Sequence, residues 1–282
     1  MLETVPRDTA LGARARSEVD RCAAVDRVIA AMHERIDRPF ALEEMARIAY
    51  LSPFYFNRVF RQVTGVPPRR FHTALRIAEA KRLLLTTGRS VTEICLDVGY
   101  QSLGTFTTHF RELVSLSPRE LRRLAEAPWL ESLEMADLLG DAEDDADAPA
   151  VDGIVATPAD HEHRIVFIGL FPYPYPQGLP SACTARLGSG SFALPTAAGD
   201  RVYVAAAAFT PTDSVASCLL PDDGSVLVAS GAAPVGAAPF RRARRDLRLR
   251  PVRSTDPPFL LALPLAAAAI AHGGAAAGAV HV

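Results

Sequence analysis

The sequence predicts a multidomain α plus β chain: an all-α domain, an acidic linker and a C-terminal antiparallel β-sandwich. Three observations predict it. Helical periodicity in the first half repeats itself at a fixed offset. Residues 127–150 then hold eight acids and no base. After Val151, short segments rich in Val, Ile, Phe and Thr alternate with turn residues. A chain of 282 residues, 49% of them hydrophobic, is long enough for about two cores.

In chain order, residues 1–18 show little periodicity and read as a loose leader, which puts the all-α domain at 20–126. The linker, 127–150, carries a short amphipathic helix in WLESLEMADLLG and ends in DAEDDADAP, a run that repels itself and buries nothing. The β-sandwich follows at 151–265, with segments such as HRIVFIGLF, RVYVAAAAF and SVLVAS and a PDDG turn at 221–224. Residues 266–282, low in complexity, read as a flexible tail. No charged-then-apolar leader is present, and FLLALPLAAAAI at 259–270 is too short to span a bilayer, so a cytoplasmic protein with no membrane partner is expected. Cys22, Cys95, Cys183 and Cys218 are scattered without C-x-x-C spacing, as suits free thiols in a reducing compartment.

At an offset of 50 residues the stretch beginning at Glu43 falls on the stretch beginning at Glu93. Met45 meets Cys95, Ile48 meets Val98, Tyr50 meets Tyr100, Ser52 meets Ser102, Phe56 meets Phe106, Phe60 meets Phe110 and Pro68 meets Pro118, without a gap. Leu42, Met45, Ala46 and Ala49 mark one face of a short helix, as do Val91, Ile94, Cys95 and Val98. Gly99 falls at the turn of the second copy, with Ala49 in the same place in the first. Ser52 and Ser102 are N-cap candidates, and Gly65 suits a left-handed C-cap ahead of Pro67 and Pro68. Between the copies, Phe71–Thr87 reads as a helix with Ile77, Ala80, Leu83 and Leu84 toward a core and Arg76, Lys81 and Arg82 elsewhere.

The net charge of −2 hides a segregation: residues 20–126 hold 17 Lys+Arg against 12 Asp+Glu, and 51–124 hold 12 against 5. A duplicated helix-turn-helix with a basic bias fits nucleic acid, the second helix of each unit entering a major groove. A purely structural helical repeat would not require the bias.

The run from Val25 to Leu124 resembles the double helix-turn-helix domain of the AraC/XylS transcription regulators. FNRVFRQVTGVPPRRF, RIAEAKRLLLTTGRSVTEICLDVGYQS and FTTHFRELVSLSPREL carry the resemblance. It implies a sequence-specific transcription regulator whose two second helices read adjacent grooves of double-stranded DNA. The base readers it implies are Phe54, Asn57 and Arg58 in the first helix and Leu103, Gly104, Thr107 and Thr108 in the second. Arg58 suits guanine O6/N7, and Asn57 suits adenine N6/N7. Phosphate candidates are Ser52, Arg61, Arg69, Arg70, Lys81, Arg82, Ser102 and Arg111. The chain departs from the family at Thr108, commonly arginine, and at Ser115, commonly glycine. It also departs in placing this domain first.

The second half resembles, in alternation and turn pattern, a transthyretin-like or carboxypeptidase-regulatory sandwich. It is expected to modulate DNA reading by taking a small-molecule effector or a protein partner, or by forming a homodimer. An activator would also meet RNA polymerase. The alternative is a DNA-anchored interaction module whose β-domain recruits a partner. FPYPYPQGLP at 171–180 reads either as an aromatic lip or as a stiff connection, and RRARRDLRLR at 241–250 as a charged strand edge. If they lay on a strand, His161 and His163 would share a face and could pair on a metal, yet no third ligand has metal spacing. With no G-x-S-x-G elbow, Walker loop or dinucleotide fingerprint, neither a cofactor nor an enzyme is expected.

Overall fold

The computed structural model describes residues 7–126, 150–178, 180–196, 201–210, 219–220, 226–231, 234–236, 242–258 and 260. The acidic linker with its short helix, the PDDG turn, nearly all of the apolar run at 259–270 and the tail lie outside these residues. No helix among the described residues is long and apolar enough to cross a membrane.

Among the described residues seven α-helices come first: α1 (Arg7–Glu34), α2 (Leu42–Ile48), α3 (Pro53–Thr64), α4 (Pro68–Thr86), α5 (Val91–Asp97), α6 (Leu103–Val114) and α7 (Pro118–Ala125). The loose leader is not observed from Arg7 onward, where α1 already runs. The Ala- and Arg-rich stretch has the intrinsic propensity for helix even without an apolar stripe. Val25, Val28 and Met32 of α1 pack with Met45, Phe56, Phe60 and Phe71 into the first core. Its rings meet edge to face, Phe60 lying 5.5 Å from Phe56 and 5.4 Å from Phe71 between centroids. Phe106 and Phe110 occupy the same places in the second core, and both they and Phe60 are fully buried.

The repeat is not gapless. Leu51 N–H donates to Ala46 O in the first unit, and Tyr100 N–H donates to Cys95 O in the second. These bonds pair Met45 with Ile94, Ala46 with Cys95 and Ala49 with Val98, an offset one residue short of that between α3 and α6. The left-handed turn residue in the first unit is therefore Tyr50 (φ 57°), not Ala49, and it takes the place of Gly99 (φ 77°). Leu51 takes the place of Tyr100, and Gln101 is the extra residue. The shift explains why Tyr50 is 85% exposed while Tyr100 is buried. At Gly99 a side chain has no room: a Cβ would lie 2.4 Å from Asp37 O.

Caps set the helix starts. Ser90 N–H donates to Glu93 Oε2 (2.7 Å) and Glu93 N–H donates to Ser90 Oγ (3.2 Å), a reciprocal box that Ser117 and Glu120 repeat at α7. Gly65 closes α3 at φ 79° as expected, and Ser115 closes α6 at φ 71°. A left-handed serine is strained, and its buried Oγ finds no partner among the described residues. Ser115→Gly is expected to raise stability by about 1 kcal/mol in urea melts. A lowered midpoint would show that this turn carries no strain.

The second half is β-rich and forms two sheets. Its strands are β1 (Ala150–Ala156), β2 (Ile165–Phe171), β3 (Ala182–Leu187), β4 (Gly190–Pro195), β5 (Arg201–Phe209), β6 (Leu227–Ser230), β7 (Val235–Gly236), β8 (Ala243–Arg244), β9 (Leu247–Arg248) and β10 (Arg250–Pro251). One sheet runs β10-β6-β5-β2-β3, with β7 also on β5; the other joins β4 to β1, with β8 and β9 along the far edge of β1. The pairing is not wholly antiparallel, because β8 and β9 run parallel to β1. The chain reaches that edge by crossing from the other sheet, and a crossover permits a parallel partner where a hairpin does not. Asp246 bridges the break between β8 and β9 by accepting from Ile154 N–H (2.9 Å).

Strand β2 is buried along its whole length. Val166, Ile168 and Leu170, with Val204, Ala206 and Ala208 of β5, share a core with Val151, Val155, Phe192 and Leu194 of the other sheet. Ile165, Phe167 and Phe171, with Ala205, Ala207 and Phe209, face away and join one contiguous cluster with Ile94, Phe106, Phe110, Leu116 and Leu121. The helical and β-rich halves therefore share a core.

Candidate nucleic-acid interface

Each second helix buries two phenylalanines, Phe56 and Phe60 on α3 and Phe106 and Phe110 on α6, and turns a matching face outside. On α3, Phe54, Asn57, Arg58 and Arg61 stand at i, i+3, i+4 and i+7, and all four are exposed. On α6, Gly104, Thr107, Thr108 and Arg111 hold the same positions, Thr107 half-buried and the others exposed, with Leu103 exposed beside them. Phe54 is 83% exposed, too much for a ring with only a packing role. The Arg58 guanidinium rests 5.0 Å from the Tyr55 ring centroid. Ser102 Oγ accepts from Thr105 N–H (3.3 Å) and so caps α6. Ser52 is the N-cap of α3 and leaves its hydroxyl out of the cap, available to another partner. His109 is half-buried, its Nδ1 3.2 Å from Tyr100 Oη, as expected of a packed residue.

Residues 45–124, which contain both faces, match the helix-turn-helix domain family. Among curated relatives, the uncharacterized HTH-type transcriptional regulator YobQ of Bacillus subtilis is 30% identical over 94 residues, 33% of this chain and 39% of its own length. The HTH-type transcriptional activator RhaS of an Enterobacter species is 32% identical over 105 residues, 37% of this chain and 38% of its own. Residues 45–124 form an AraC-type helix-turn-helix domain. A solved transcriptional regulator of Chromobacterium violaceum with an AraC-type DNA-binding domain is 26% identical, covering 38% of this chain and 95% of that one, with a TM-score of 0.36. The chain thus spans under two fifths of the length of these curated relatives.

Within the AraC-type domain the expected phosphate residues divide. Arg61, Arg69 and Arg111 are exposed. Arg82 is exposed but closes a bidentate pair with Glu79 at 2.8 and 2.6 Å. Lys81 does not fit the phosphate role: it is 2% exposed, and burial pushes its ammonium pKa down to about 8. It stands four residues after Ile77 and three before Leu84, on the buried stripe of α4. Arg76 is likewise drawn inward, its Nε donating to Val98 O and its guanidinium 4.3 Å from the Tyr100 ring centroid.

Arg70 is engaged by the second half. Its Nη1 donates to Tyr175 Oη (2.6 Å), and its guanidinium lies 5.2 Å from the Tyr173 ring centroid. The hydroxyl raises the already high pKa of the guanidinium. Tyr173 and Tyr175 stack 5.9 Å apart at 11°. Tyr175 is 4% exposed and belongs to the core of the first unit. Three residues on, Gly178 N–H donates to Leu113 O of α6 in the second unit (3.2 Å). The PYPYPQG segment, which joins β2 to β3, is therefore a strap across both units. Its prolines and paired tyrosines signalled rigidity in the sequence, but only the fold shows what it grips.

Proposed function

We propose that the protein is a sequence-specific DNA-binding transcriptional regulator. Helices α3 and α6 read adjacent major grooves of double-stranded DNA, and the β-rich half, its two sheets packed as a sandwich, modulates that reading through the strap. The observation that carries this is the pair of outward faces in one register: Phe54, Asn57 and Arg58 on α3 against Gly104, Thr107 and Thr108 on α6. In this reading Arg58 and Asn57 supply the long hydrogen-bonding contacts to base edges. The short side chains of α6 suit close approach and shape readout more than base choice. Arg61, Arg69 and Arg111, with the hydroxyls of Ser52 and Ser102, hold the backbone and make affinity fall with salt.

Arg58→Ala is expected to weaken binding to the preferred operator by about 1–3 kcal/mol and to relax one base position. Competition binding with operators altered base by base reads both effects. An equal loss on every sequence would reassign Arg58 to a phosphate, and no loss on any sequence would remove α3 from the groove.

A further inference from the structure

A cavity of about 450 Å³ lies where α4, α6 and the strap meet, lined by Arg70, Thr73, Glu112, Leu113, Tyr173 and Gln177 among others. Its size falls within the roughly 300–1,000 Å³ of small-molecule sites. We propose that this cavity binds a small zwitterion with an apolar side chain, an α-amino acid in its chemistry, and that occupancy sets how firmly the strap holds α6 to α4. The coupling part of the proposal rests on the DNA-reading function proposed above; the binding part does not.

Three features of the wall define the ligand. Gln177 is 7% exposed and lines the cavity, where its side-chain amide can both donate to and accept from a molecule that enters. Arg70 and Glu112 bring opposite charges to the same wall, near enough for Glu112 to favour the charged guanidinium, but no ion pair joins them. Only one Arg70 nitrogen is committed, to Tyr175, and the guanidinium has further N–H donors. A ligand carboxylate on Arg70 and an ammonium on Glu112 would satisfy both. A simple anion would face Glu112 and a simple cation would face Arg70, so the wall selects against a single charge. Leu113 and the Tyr173 ring supply the apolar surface. A second cavity of about 440 Å³, between the end of α3 and β5, β6 and β10, lacks this demand. Its charged pair, Arg250 and Asp256, is already closed at 2.7 Å through both nitrogens.

Because the cavity walls come from α4, α6 and the strap, a bound zwitterion would tie all three together. One reading face lies at the other end of α6, and α4 begins four residues after α3, which carries the other, so a tighter junction narrows the range of angles between α3 and α6. That is a route by which an effector alters operator affinity without touching DNA.

Calorimetric titration of the full chain with L-phenylalanine, L-leucine and L-methionine tests this, beside their methyl esters and N-acetyl forms. The zwitterions are expected to bind at least about tenfold more tightly than either single-charge form, a difference of about 1.4 kcal/mol. Glu112→Gln and Gln177→Leu are each expected to weaken binding by about tenfold or more, while their thermal melts and ligand-free operator affinity stay those of the parent. Saturating amino acid should shift operator affinity in the parent and leave the Glu112→Gln chain unmoved. The site is overturned if no zwitterion binds at millimolar concentration, if the esters bind equally well, or if neither substitution changes binding. The coupling is overturned if the amino acid binds and operator affinity does not move. Titration needs no DNA, so a chain that takes up amino acid but reads no operator refutes the DNA-reading function alone. One that reads its operator and binds no amino acid refutes this site alone.

Discussion

Phe110→Ala is expected to cost about 3–5 kcal/mol of stability, as is Phe60→Ala, and each to abolish operator binding indirectly. Both rings are fully buried and packed edge to face or tilted against a neighbouring phenylalanine, Phe110 at 5.7 Å from Phe106. Truncation removes the buried ring and leaves a void that the surrounding helices close only in part. The two sites differ in reach. Phe60 belongs to the core of the first unit. Phe110 belongs to the cluster that includes Phe167, Phe171 and Phe209 of the β-rich half. Its loss should therefore loosen the second half as well, seen as reduced amide-exchange protection in β2 and β5. Phe60→Ala should leave those strands protected under conditions where the chain stays folded. Melting temperatures unchanged by either substitution would remove the rings from the core, and equal protection in both variants would deny the shared core.

Lys81→Met is expected to stabilise the protein at pH 7 by about 3 kcal/mol, because the buried ammonium has its pKa lowered from 10.5 to about 8 by burial alone. Below about pH 8 the lysine is charged in both folded and unfolded chains, so the full burial penalty opposes folding. Between about pH 8 and 10.5 the unfolded chain holds a proton that the folded chain has shed, and stability contributed at this site climbs with pH. Urea midpoints at pH 7 and pH 10 should show the methionine variant well ahead at the lower pH, with the gap nearly closed at the higher. A constant gap, or a more stable parent at pH 7, would mean the ammonium is hydrated or paired in the fold. Such a residue cannot hold a phosphate, so the same variant should bind the operator with an unchanged salt slope.

The duplicated unit was legible because periodicity, caps and turn residues agreed. Phe56, Phe60, Phe106 and Phe110 face inward as their spacing requires, and Gly65 adopts the left-handed cap its place before two prolines demands. The one-residue shift between Tyr50 and Gly99 was not legible, because a tyrosine gives no sign of a left-handed backbone. Lys81 was misplaced because its charge outweighed its position, although its spacing to Ile77 and Leu84 put it on the buried stripe. The exposed faces of α3 and α6 follow from the same spacing that buries the phenylalanines. The strap and the shared core could not be read, since alternation along β2 and β5 tells which residues share a face but not what covers it. The consecutive alanines 205–208 were the one clue: small residues pointing both ways suit a strand enclosed on both sides.

That enclosure bears on how the chain is made. Domains generally fold as they are synthesised, earlier segments first, at about 5–20 residues per second. Helix α7 ends at Ala125 and β5 ends at Phe209, so roughly 4–17 s pass between them at that pace. For that interval the second helix-turn-helix unit stands with part of its apolar cluster bare, while the acidic stretch 127–150 is the first thing to follow it out of the ribosome. Eight acids and no base give that stretch a charge of one sign, and like charge disfavours association between chains.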